Sequence, residues 1–524
     1  MPLFDPPSRP RRITVPEDAR ACAALARPAE ADLDTFCPDV DDRLLDVIAR
    51  AEDPGDAFEL RDLWLGRVEH ELGADALRPG LAELWRGSRP RRHVGAEEAL
   101  TSRATVRFVK ELFNWYFRDD LYGDLAADRQ LLLSSGAVDE ERWGLPAALK
   151  DCVRFALDRD WYGYSDSRGR IPAREAVAAY ENALMERDVY DEHNVALTMG
   201  GTFTVSTLAD FLLTGRTGPT GPALCGIPNY PPLVEAVARR GDVRLVPLPS
   251  TAGRTSLEPL IQALSADTPL VLIQTAANPT GALVDEDELT RLIRAAGPRT
   301  TIILDECHEW LGPRRTRGTA RAAANVVRVS SLSKNWSAPG MKIGWILAGR
   351  EFIDEYYEHA STAFGGPPSF LYTVVELLAR MERWLVTGLD RPGAAEVAEF
   401  EPAYRLDADR LGVAYAGYRR ERWERQDALT ALRDAACHRL SAVARVTVPA
   451  YSINAAVRVP GWDDSYRCFR DLLRTTGVST YPGILNFCFS GGVVRVTTAR
   501  PWAELAEAGD RLAYAVAEPG VLRV

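Results

Sequence analysis

The chain has 524 residues, 46% of them hydrophobic and 26% charged, which is the balance of an ordinary soluble globular protein. Its 63 basic and 74 acidic residues give a formal net charge of −11, which argues against a general binder of nucleic acid or anionic membranes. The eight cysteines lack C-x-x-C spacing, so neither a zinc module nor a disulfide framework is indicated. With no signal-peptide core at its start and no apolar run near the roughly 20 residues of a membrane span, we expect a cytoplasmic protein of two or three domains.

The first 125 residues predict an arm followed by a helical extension. Residues 1–30 are rich in Pro and Arg and show little periodicity, which favours a loose arm. Over residues 39–122 apolar side chains recur at helical spacing, for example Val106, Val109 and Leu112. This segment carries no catalytic motif, so we expect it to cover the core, a partner subunit or the mouth of an active site.

Residues 195–345 alternate short apolar runs with helical patterns. Continuous apolar strands that alternate with helices predict a largely parallel sheet covered on both faces. Ligands of such sheets bind beyond the carboxyl ends of the strands. The runs are V-A-L-T-M, A-L-C-G-I-P, V-R-L-V-P-L, P-L-V-L-I-Q, T-I-I-L-D and V-V-R-V-S.

After Gly349 helical patterns dominate, and alternating residues at 446–459 and 492–498 predict a small closing α+β domain. Residues 387–402 contain Gly and Pro and indicate a loop or insertion. The domain limits that we expect are 1–125 for the arm and helical extension, 126–160 for the start of the small domain, 161–350 for the large α/β domain, and 351–524 for the rest of the small domain with a helical insertion.

The stretch V-S-S-L-S-K-N-W-S-A-P-G-M-K-I-G-W places Lys334 where a strand should end. A lysine in a cleft there is costly unless it is neutral or covalently engaged. A Schiff base with an aldehyde cofactor provides both.

Further motifs also follow strand ends. G-G-T at 200–202 precedes a helix, whose free N–H groups and positive end favour a phosphate. Asn278 lies in the turn A-A-N-P-T-G, Asp305 closes T-I-I-L-D, and Arg495 closes the late strand V-V-R-V. The planar guanidinium of an arginine suits a carboxylate.

In this order the motifs resemble those of the class I/II aminotransferases, fold-type I enzymes that use pyridoxal 5′-phosphate (PLP). The resemblance covers residues 130–350 well and 440–515 loosely, and it leaves out the first 120 residues and much of 385–440. It implies an α/β fold with a mostly parallel sheet in the large domain, a smaller α+β domain and an added N-terminal helical segment. It also implies a homodimer with shared active sites.

The resemblance assigns roles to individual residues. Lys334 would hold PLP and then act as base and acid at the substrate Cα, Asp305 would face the pyridine nitrogen, and Arg495 would grip the α-carboxylate. The implied substrate-binding residues are Arg495, Gly136 and Asn278. The implied cofactor-binding residues are Gly200, Gly201, Thr202, Tyr230, Asn278, Asp305, His308, Ser331, Ser333, Lys334, Lys342 and, reaching the neighbouring subunit, Tyr164.

Two residues depart from the family pattern. Lys342 stands where the family usually carries an arginine on the phosphate, so the charge is kept and the two-pronged geometry is lost. His308 replaces a tyrosine, and an imidazole titrates near neutrality. We therefore expect an altered electron distribution in the ring and a specialised, biosynthetic member of the family.

The leading hypothesis is an aminotransferase that acts on an α-amino acid. The alternative is a PLP-dependent β- or γ-elimination, replacement or cyclisation enzyme, because these reactions share the same motifs. A PLP-binding transcription regulator is disfavoured, since residues 31–86 lack a basic helix-turn-helix stretch. A metal site in E-C-H-E is disfavoured too, because adjacent residues of one strand cannot all face one ion.

Overall fold

The computed structural model describes residues 1–26, 39–72, 93–215, 220–334, 336–447 and 449–517. Its α-helices are Glu17–Ala24, Asp42–Arg50, Ala57–Leu72, Ala96–Thr101, Arg103–Trp115, Glu140–Trp143, Ala147–Asp158, Ile171–Met185, Gly201–Leu213, Pro231–Ala238, Glu258–Ala263, Glu286–Ala295, Arg350–Ala360, Tyr372–Thr387, Ala394–Ala398, Ala408–Ser441, Ser465–Thr476 and Trp502–Ala517. A π-helical stretch, Tyr116–Asp124, continues the helix Arg103–Trp115.

The strands are β1 (Leu131–Leu132), β2 (Val195–Thr198), β3 (Ala223–Ile227), β4 (Val243–Pro247), β5 (Ser250–Thr251), β6 (Arg254–Thr255), β7 (Leu270–Gln274), β8 (Leu283–Val284), β9 (Thr301–Asp305), β10 (Val326–Ser331), β11 (Gly344–Leu347), β12 (Arg445–Thr447), β13 (Asn454–Arg458), β14 (Val478–Ser479), β15 (Tyr481–Pro482) and β16 (Val493–Thr497).

The large sheet has the strand order β2-β11-β10-β9-β7-β3-β4 within the described residues. All of its strand pairs are parallel except the two that β11 makes with β10 and β2. Its central strands are buried throughout, as expected of a sheet with helices on both faces. The predicted α/β fold with a mostly parallel sheet is therefore confirmed.

Side chains alternate between the two faces of this sheet. On one face, Ile303 and Val329 pack with the helices Gly201–Leu213 and Pro231–Ala238. On the other face, Ile302 and Leu304 pack with Glu286–Ala295. A residue's position in β9 therefore decides which of two interiors its side chain enters.

A second sheet, with the order β12-β13-β16-β15, is antiparallel and packs with the late helices. The short strand β1 pairs with β14, so the chain near residue 131 joins this smaller unit. The helix Tyr372–Thr387 packs instead on Ile171–Met185, against the large sheet. The domain limits stated above stay a prediction.

The first 26 residues do not form the loose arm that we expected. Leu3 and Phe4 are buried, and the helix Glu17–Ala24 packs along Ala408–Ser441. Backbone N–H groups of the arm find carboxylates as partners: the Arg11 N–H donates to Glu421 Oε1 at 2.8 Å. The composition of residues 1–30 could not predict these partners, because they lie far along the chain. Residues 27–30 of the expected arm lie outside the described residues.

The helix Arg103–Trp115 packs on Pro231–Ala238 of the large unit and on the turn Gly483–Asn486 of the smaller one. The hydroxyl of Tyr116 donates to the carbonyl of Thr480 at 2.7 Å. We call the helix Arg103–Trp115 and its π-helical continuation, Tyr116–Asp124, the N-terminal helical layer. This layer bridges the two units. None of the helices in the described part of the chain combines the length and apolar character that crossing a membrane requires.

Candidate active site

A cavity of about 240 Å³ opens at the carboxyl ends of the large-sheet strands, where that sheet meets the smaller unit and the N-terminal helical layer. It brings together most of the residues that the sequence singled out. Those that line it are Gly136, Gly201, Thr202, Tyr230, Asn278, Asp305, His308, Ser331, Ser333, Lys334, Lys342 and Arg495. Gly200 directly precedes the lining residue Gly201, and Tyr164 lies outside the cavity, fully exposed.

Lys334 follows the last residue of β10, Ser331, by three positions, so its amine leaves the sheet at its edge. Nζ donates a hydrogen bond to the carbonyl of Gly136 at 3.1 Å. Removal of the amine from water, and then the charge of Arg495, lower the pKa of Lys334 to about 8. At pH 7 roughly a tenth of this amine is therefore uncharged and nucleophilic, far more than an ordinary lysine provides.

Asp305 is the last residue of β9, and both of its carboxylate oxygens are held. Gln274 Nε2 donates to Oδ2 and the Cys307 N–H donates to Oδ1, each at 3.1 Å. Gln274 is the residue paired with Asp305 on the neighbouring strand β7. Sequence reasoning missed Gln274, although its place at the end of P-L-V-L-I-Q is a signal of the same kind. The carboxylate is thus oriented before any ligand arrives.

Arg495 on β16 is buried and is fixed from three sides. Nη2 donates to the carbonyl of Ser134 at 2.9 Å, and Nη1 donates to Asn278 Oδ1 at 3.3 Å. The guanidinium lies 3.9 Å from the ring centre of Tyr481. Burial lowers the pKa of Arg495 from its ordinary value. This planar cation faces the cavity close to the amide of Asn278.

Position 136 requires a glycine because of its backbone conformation and because of the neighbouring Arg495 side chain. Its φ is +61°, and a Cβ there would lie 2.7 Å from Nη2 of Arg495. Its N–H donates to Thr497 Oγ1 at 2.8 Å. Any other residue would push the guanidinium out of place.

The opposite end of the cavity is rich in groups that suit a phosphate. The helix Gly201–Leu213 begins there, after Gly200 with a φ of +86°. Ser331, Ser333 and Lys342 line the same cavity. Free N–H groups at a helix start, hydroxyls and an ammonium together favour an oxyanion.

The pKa of His308 differs from our expectation that this imidazole titrates near neutrality. Burial, followed by the charges of Lys334 and Arg495, lowers the pKa of its imidazole to about 3. The ring is therefore neutral at physiological pH rather than titrating near neutrality. Its Nδ1 is buried and has no hydrogen-bond partner among the described residues, so it remains available to a ligand in the cavity.

Glu306 and Glu309 point away from the cavity into a buried arginine–glutamate cluster. Arg328 donates to both oxygens of Glu306 at 2.8 Å, and Arg321 donates to Glu309 at 2.8 Å. These arginines hold the pKa of Glu306 at about 2. The members of the cluster are Glu181, Glu306, Glu309, Arg317, Arg321 and Arg328.

Both glutamates of the E-C-H-E segment are engaged by arginines, so the segment does not turn its side chains toward one point. Among the described residues, no group of three or more His, Cys, Asp or Glu is placed to hold an ion. Strand alternation explains why Asp305 reaches the cavity and Glu306 does not.

Aromatic side chains close the remaining side of the cavity. Phe113 and Phe117 come from the N-terminal helical layer, and Tyr481 comes from β15. We call these three rings the aromatic wall. Phe113 lies 5.0 Å from Phe117 and 6.0 Å from Tyr230, measured between ring centres. Sequence reasoning did not name Phe113 or Phe117 as site residues, because helical spacing marks an apolar face without telling what it covers.

The residues present fit PLP. A nucleophilic amine, an oriented carboxylate, a neutral imidazole with a free nitrogen and an oxyanion cradle surround one cavity, and Tyr230 supplies a ring at its side. A carboxylate of that orientation matches a pyridine nitrogen, and the cradle matches a phosphate.

Comparison with known proteins agrees with this geometry. The family model described as aminotransferase class I and II matches residues 128–397. A valine–pyruvate aminotransferase of Mycobacterium tuberculosis is 26% identical over 70% of this chain and 87% of its own length. An L-aspartate:5-guanidino-3-methyl-2-oxopentanoate transaminase of Pseudomonas syringae pv. syringae is 26% identical, over 38% of this chain and about half (52%) of that protein.

Solved structures support the fold. A tetra mutant of the aspartate aminotransferase of Thermus thermophilus has a TM-score of 0.59 at 20% identity, over 75% of this chain and 98% of that one. The N-succinyldiaminopimelate aminotransferase of Mycobacterium tuberculosis has a TM-score of 0.59 at 23% identity, over 73% and 92%. The family match spans more than half of the sequence, and its motifs lie around one cavity. This chain belongs to the class I and II aminotransferases, a family of PLP-dependent enzymes with this α/β fold.

Proposed function

We propose that this protein is a PLP-dependent aminotransferase that acts on an α-amino acid. The observation that carries the proposal is the convergence of Lys334, Asp305, Asn278 and Arg495, from four separate segments of the chain, on one cavity. The named relatives are aminotransferases, which favours transamination over the elimination, replacement or cyclisation that we kept as an alternative.

PLP would supply an aldehyde that joins amino groups and a ring that accepts electrons from the bonds at Cα. Asp305, held by Gln274 and the Cys307 N–H, would face the ring nitrogen and keep it protonated. Tyr230 would lie against the ring face. The helix start at Gly201, with Ser331, Ser333 and Lys342, would bind the phosphate. His308, neutral and with Nδ1 free, would lie near the ring oxygen together with Asn278.

Two basic side chains would hold the substrate and carry out the proton transfer. Arg495 would bind the α-carboxylate through its planar N–H groups, with Asn278 and Ser134 fixing the guanidinium. Nζ of Lys334 would accept the proton from the substrate Cα and would donate it to a different atom in a later step. Its lowered pKa supports this role, because a base works best when its pKa lies near the working pH.

We further propose that the enzyme works as a homodimer. Tyr164 is fully exposed here, outside the cavity of its own subunit, and Tyr162 beside it is 61% exposed. Exposed aromatic side chains on one short segment suit a subunit interface. In such a dimer Tyr164 would reach the phosphate end of the partner subunit's cavity.

The first test is the visible absorption of the purified protein with PLP. We expect a band of lysine-bound cofactor that is lost in Lys334→Ala and kept in Lys150→Ala, a lysine outside the cavity. Adding a suitable amino acid should convert the cofactor to its amino form, and a keto acid should restore the band. The absence of any band would contradict the proposal. A cofactor that stays in the aldehyde form while the amino acid is consumed would instead favour the alternative reaction class.

A further inference from the structure

We propose that the aromatic wall binds the side chain of the substrate, and that the substrate is an α-amino acid with an uncharged aromatic side chain. This inference rests on the proposed function, because it takes Lys334 and Arg495 as the groups that hold the amino and carboxylate ends. It adds Phe113 and Phe117, which lie in the helical layer that precedes the matched family region, as specificity-determining residues.

The direction of the substrate side chain follows from the positions of Arg495 and Lys334. Arg495 marks the carboxylate position and Lys334 marks Cα, so the third substituent of Cα must turn to the part of the cavity that neither occupies. Besides Tyr230, which is assigned to the cofactor, the aromatic rings that line the cavity are Phe113, Phe117 and Tyr481, so the side chain is placed against them. Tyr481 lies under the guanidinium of Arg495, so the aromatic wall begins beside the carboxylate position.

The spacing of the rings suits a further aromatic ring. Phe113 and Phe117 lie 6.4 and 6.3 Å from Tyr481, and each pair is tilted or edge-on rather than face to face. Aromatic rings prefer edge and offset contacts at such separations, so a substrate ring can join the set through the same kind of contact.

Charge argues against an ionic side chain. Among the described residues that line the cavity, the cations are Lys334, Lys342 and Arg495, and none of them belongs to the aromatic wall. The ammonium of Lys110 lies 4.9 Å from the ring centre of Phe113, but it does not line the cavity and donates to Asn114 Oδ1. A second carboxylate inside the cavity would therefore lose its hydration against Phe113 and Phe117 without gaining a partner there. A basic side chain would meet no free carboxylate, since Asp305 is bound by Gln274 and Cys307, and it would be repelled by Arg495.

The aromatic wall is also held firmly enough to select. Tyr116, between Phe113 and Phe117 in sequence, donates to the Thr480 carbonyl beside Tyr481. Asp120 in the same π-helical stretch accepts a hydrogen bond from Tyr466 at 2.6 Å. Phe117 itself lies in this π-helical stretch, and π-helical turns are common at functional sites.

The test uses carboxylates that lack the α-amino group, so that binding is measured without reaction. The probes are 3-phenylpropanoate, succinate and 5-guanidinopentanoate, titrated by calorimetry into the PLP-loaded protein. We expect 3-phenylpropanoate to bind at least about tenfold more tightly than the other two. Phe117→Leu and Phe113→Leu should each reduce that preference about tenfold, whereas Phe211→Leu, a half-buried phenylalanine remote from the cavity, should leave it unchanged.

Tighter binding of succinate or 5-guanidinopentanoate would overturn the inference, and this comparison needs no variant to fold. A preference for 3-phenylpropanoate that survives both leucine variants would also overturn it, because the aromatic wall would then not be its source. PLP binding is read separately from the visible band. A protein that binds no PLP refutes the proposed function, whereas one that binds PLP and prefers succinate refutes only the substrate class.

Discussion

Lys334 is one of only four lysines in the chain, against a large excess of arginine, and two of the four line the cavity. An arginine keeps its charge under all working conditions, whereas a lysine changes its pKa readily when it is removed from water. Of these two, Lys334 is the one whose chemistry needs a neutral amine, whereas Lys342 is the cation proposed for the phosphate.

This contrast leads to a prediction about pH. In the folded, cofactor-free protein, acylation of Lys334 by acetic anhydride should reach half its maximal rate near pH 8, read peptide by peptide by mass spectrometry. In the denatured protein the midpoint should return toward the ordinary value of 10.5. The small number of lysines makes each peptide assignable.

The sign of the effect follows from the uncharged form. Burial disfavours the ammonium in the folded state, so between pH 8 and 10.5 the unfolded chain binds more protons and stability rises with pH across that window. A folded-state midpoint near 10.5 would contradict the environment described for this amine.

At the scale of elements, two adjacent residues at the end of β9 direct their side chains to opposite faces of the large sheet. Asp305 enters the cavity, and Glu306 enters the arginine–glutamate cluster on the other face. A buried carboxylate is tolerated when its charge is paired and its oxygens are bonded, and Arg328 does both for Glu306.

We predict that Arg328→Met lowers the free energy of unfolding by about 3–5 kcal/mol, because it leaves Glu306 and Glu181 buried with one partner fewer. Arg350→Met is the matched control. Its ion pair with Asp191 is half exposed and should be worth less than about 1 kcal/mol. Denaturant unfolding of both variants measures the difference. Equal losses would show that the cluster adds no stability beyond a surface pair.

The strands and helices also show which site residues could be predicted from the sequence and which could not. Asp305, Asn278 and Lys334 could be anticipated because each follows or ends an apolar strand of the large sheet, and strand ends of such a sheet meet at one edge. Arg495 was expected to close a late strand, but it is the middle residue of β16 in the smaller, antiparallel sheet, so only the family resemblance indicated its role. The helix Arg103–Trp115 was equally visible as a helix. Its periodicity predicted a buried face, but the identity of the covering surface depends on tertiary packing, so Phe113 was not anticipated as a site residue.

For the whole molecule, the open question is whether one chain makes a complete site. Its cavity contains the amine, the carboxylate and the substrate cation, while Tyr164 lies outside and fully exposed. The assignment of Tyr164 to the partner's site stays a prediction from the family resemblance.

Mixing two defective variants tests the shared site. Lys334→Ala and Tyr164→Ala should each be impaired alone. A hybrid dimer joins the intact Lys334 of one subunit with the intact Tyr164 of the other and so contains one complete site. After random exchange of subunits, transaminase activity should recover to about one quarter of the wild-type value. Tyr514→Ala, an exposed tyrosine on the helix Trp502–Ala517, is the control and should neither impair activity nor affect the recovery. Mixing without recovery, in samples shown to be dimeric by sedimentation, would contradict a shared site.

The docked N-terminal arm has a consequence for the order of events during synthesis. The arm leaves the ribosome long before its partner, because the Glu421 carboxylate that accepts its Arg11 N–H lies 410 residues downstream. Contacts between segments so far apart in sequence form late, because the entropy cost of closing the loop comes before the gain from the contacts. The strands and helices of the large sheet are closer together in sequence, so we expect them to assemble earlier. The arm is therefore expected to dock among the last events of folding. A bulky fusion at the amino terminus would interfere with maturation of the protein at that late step.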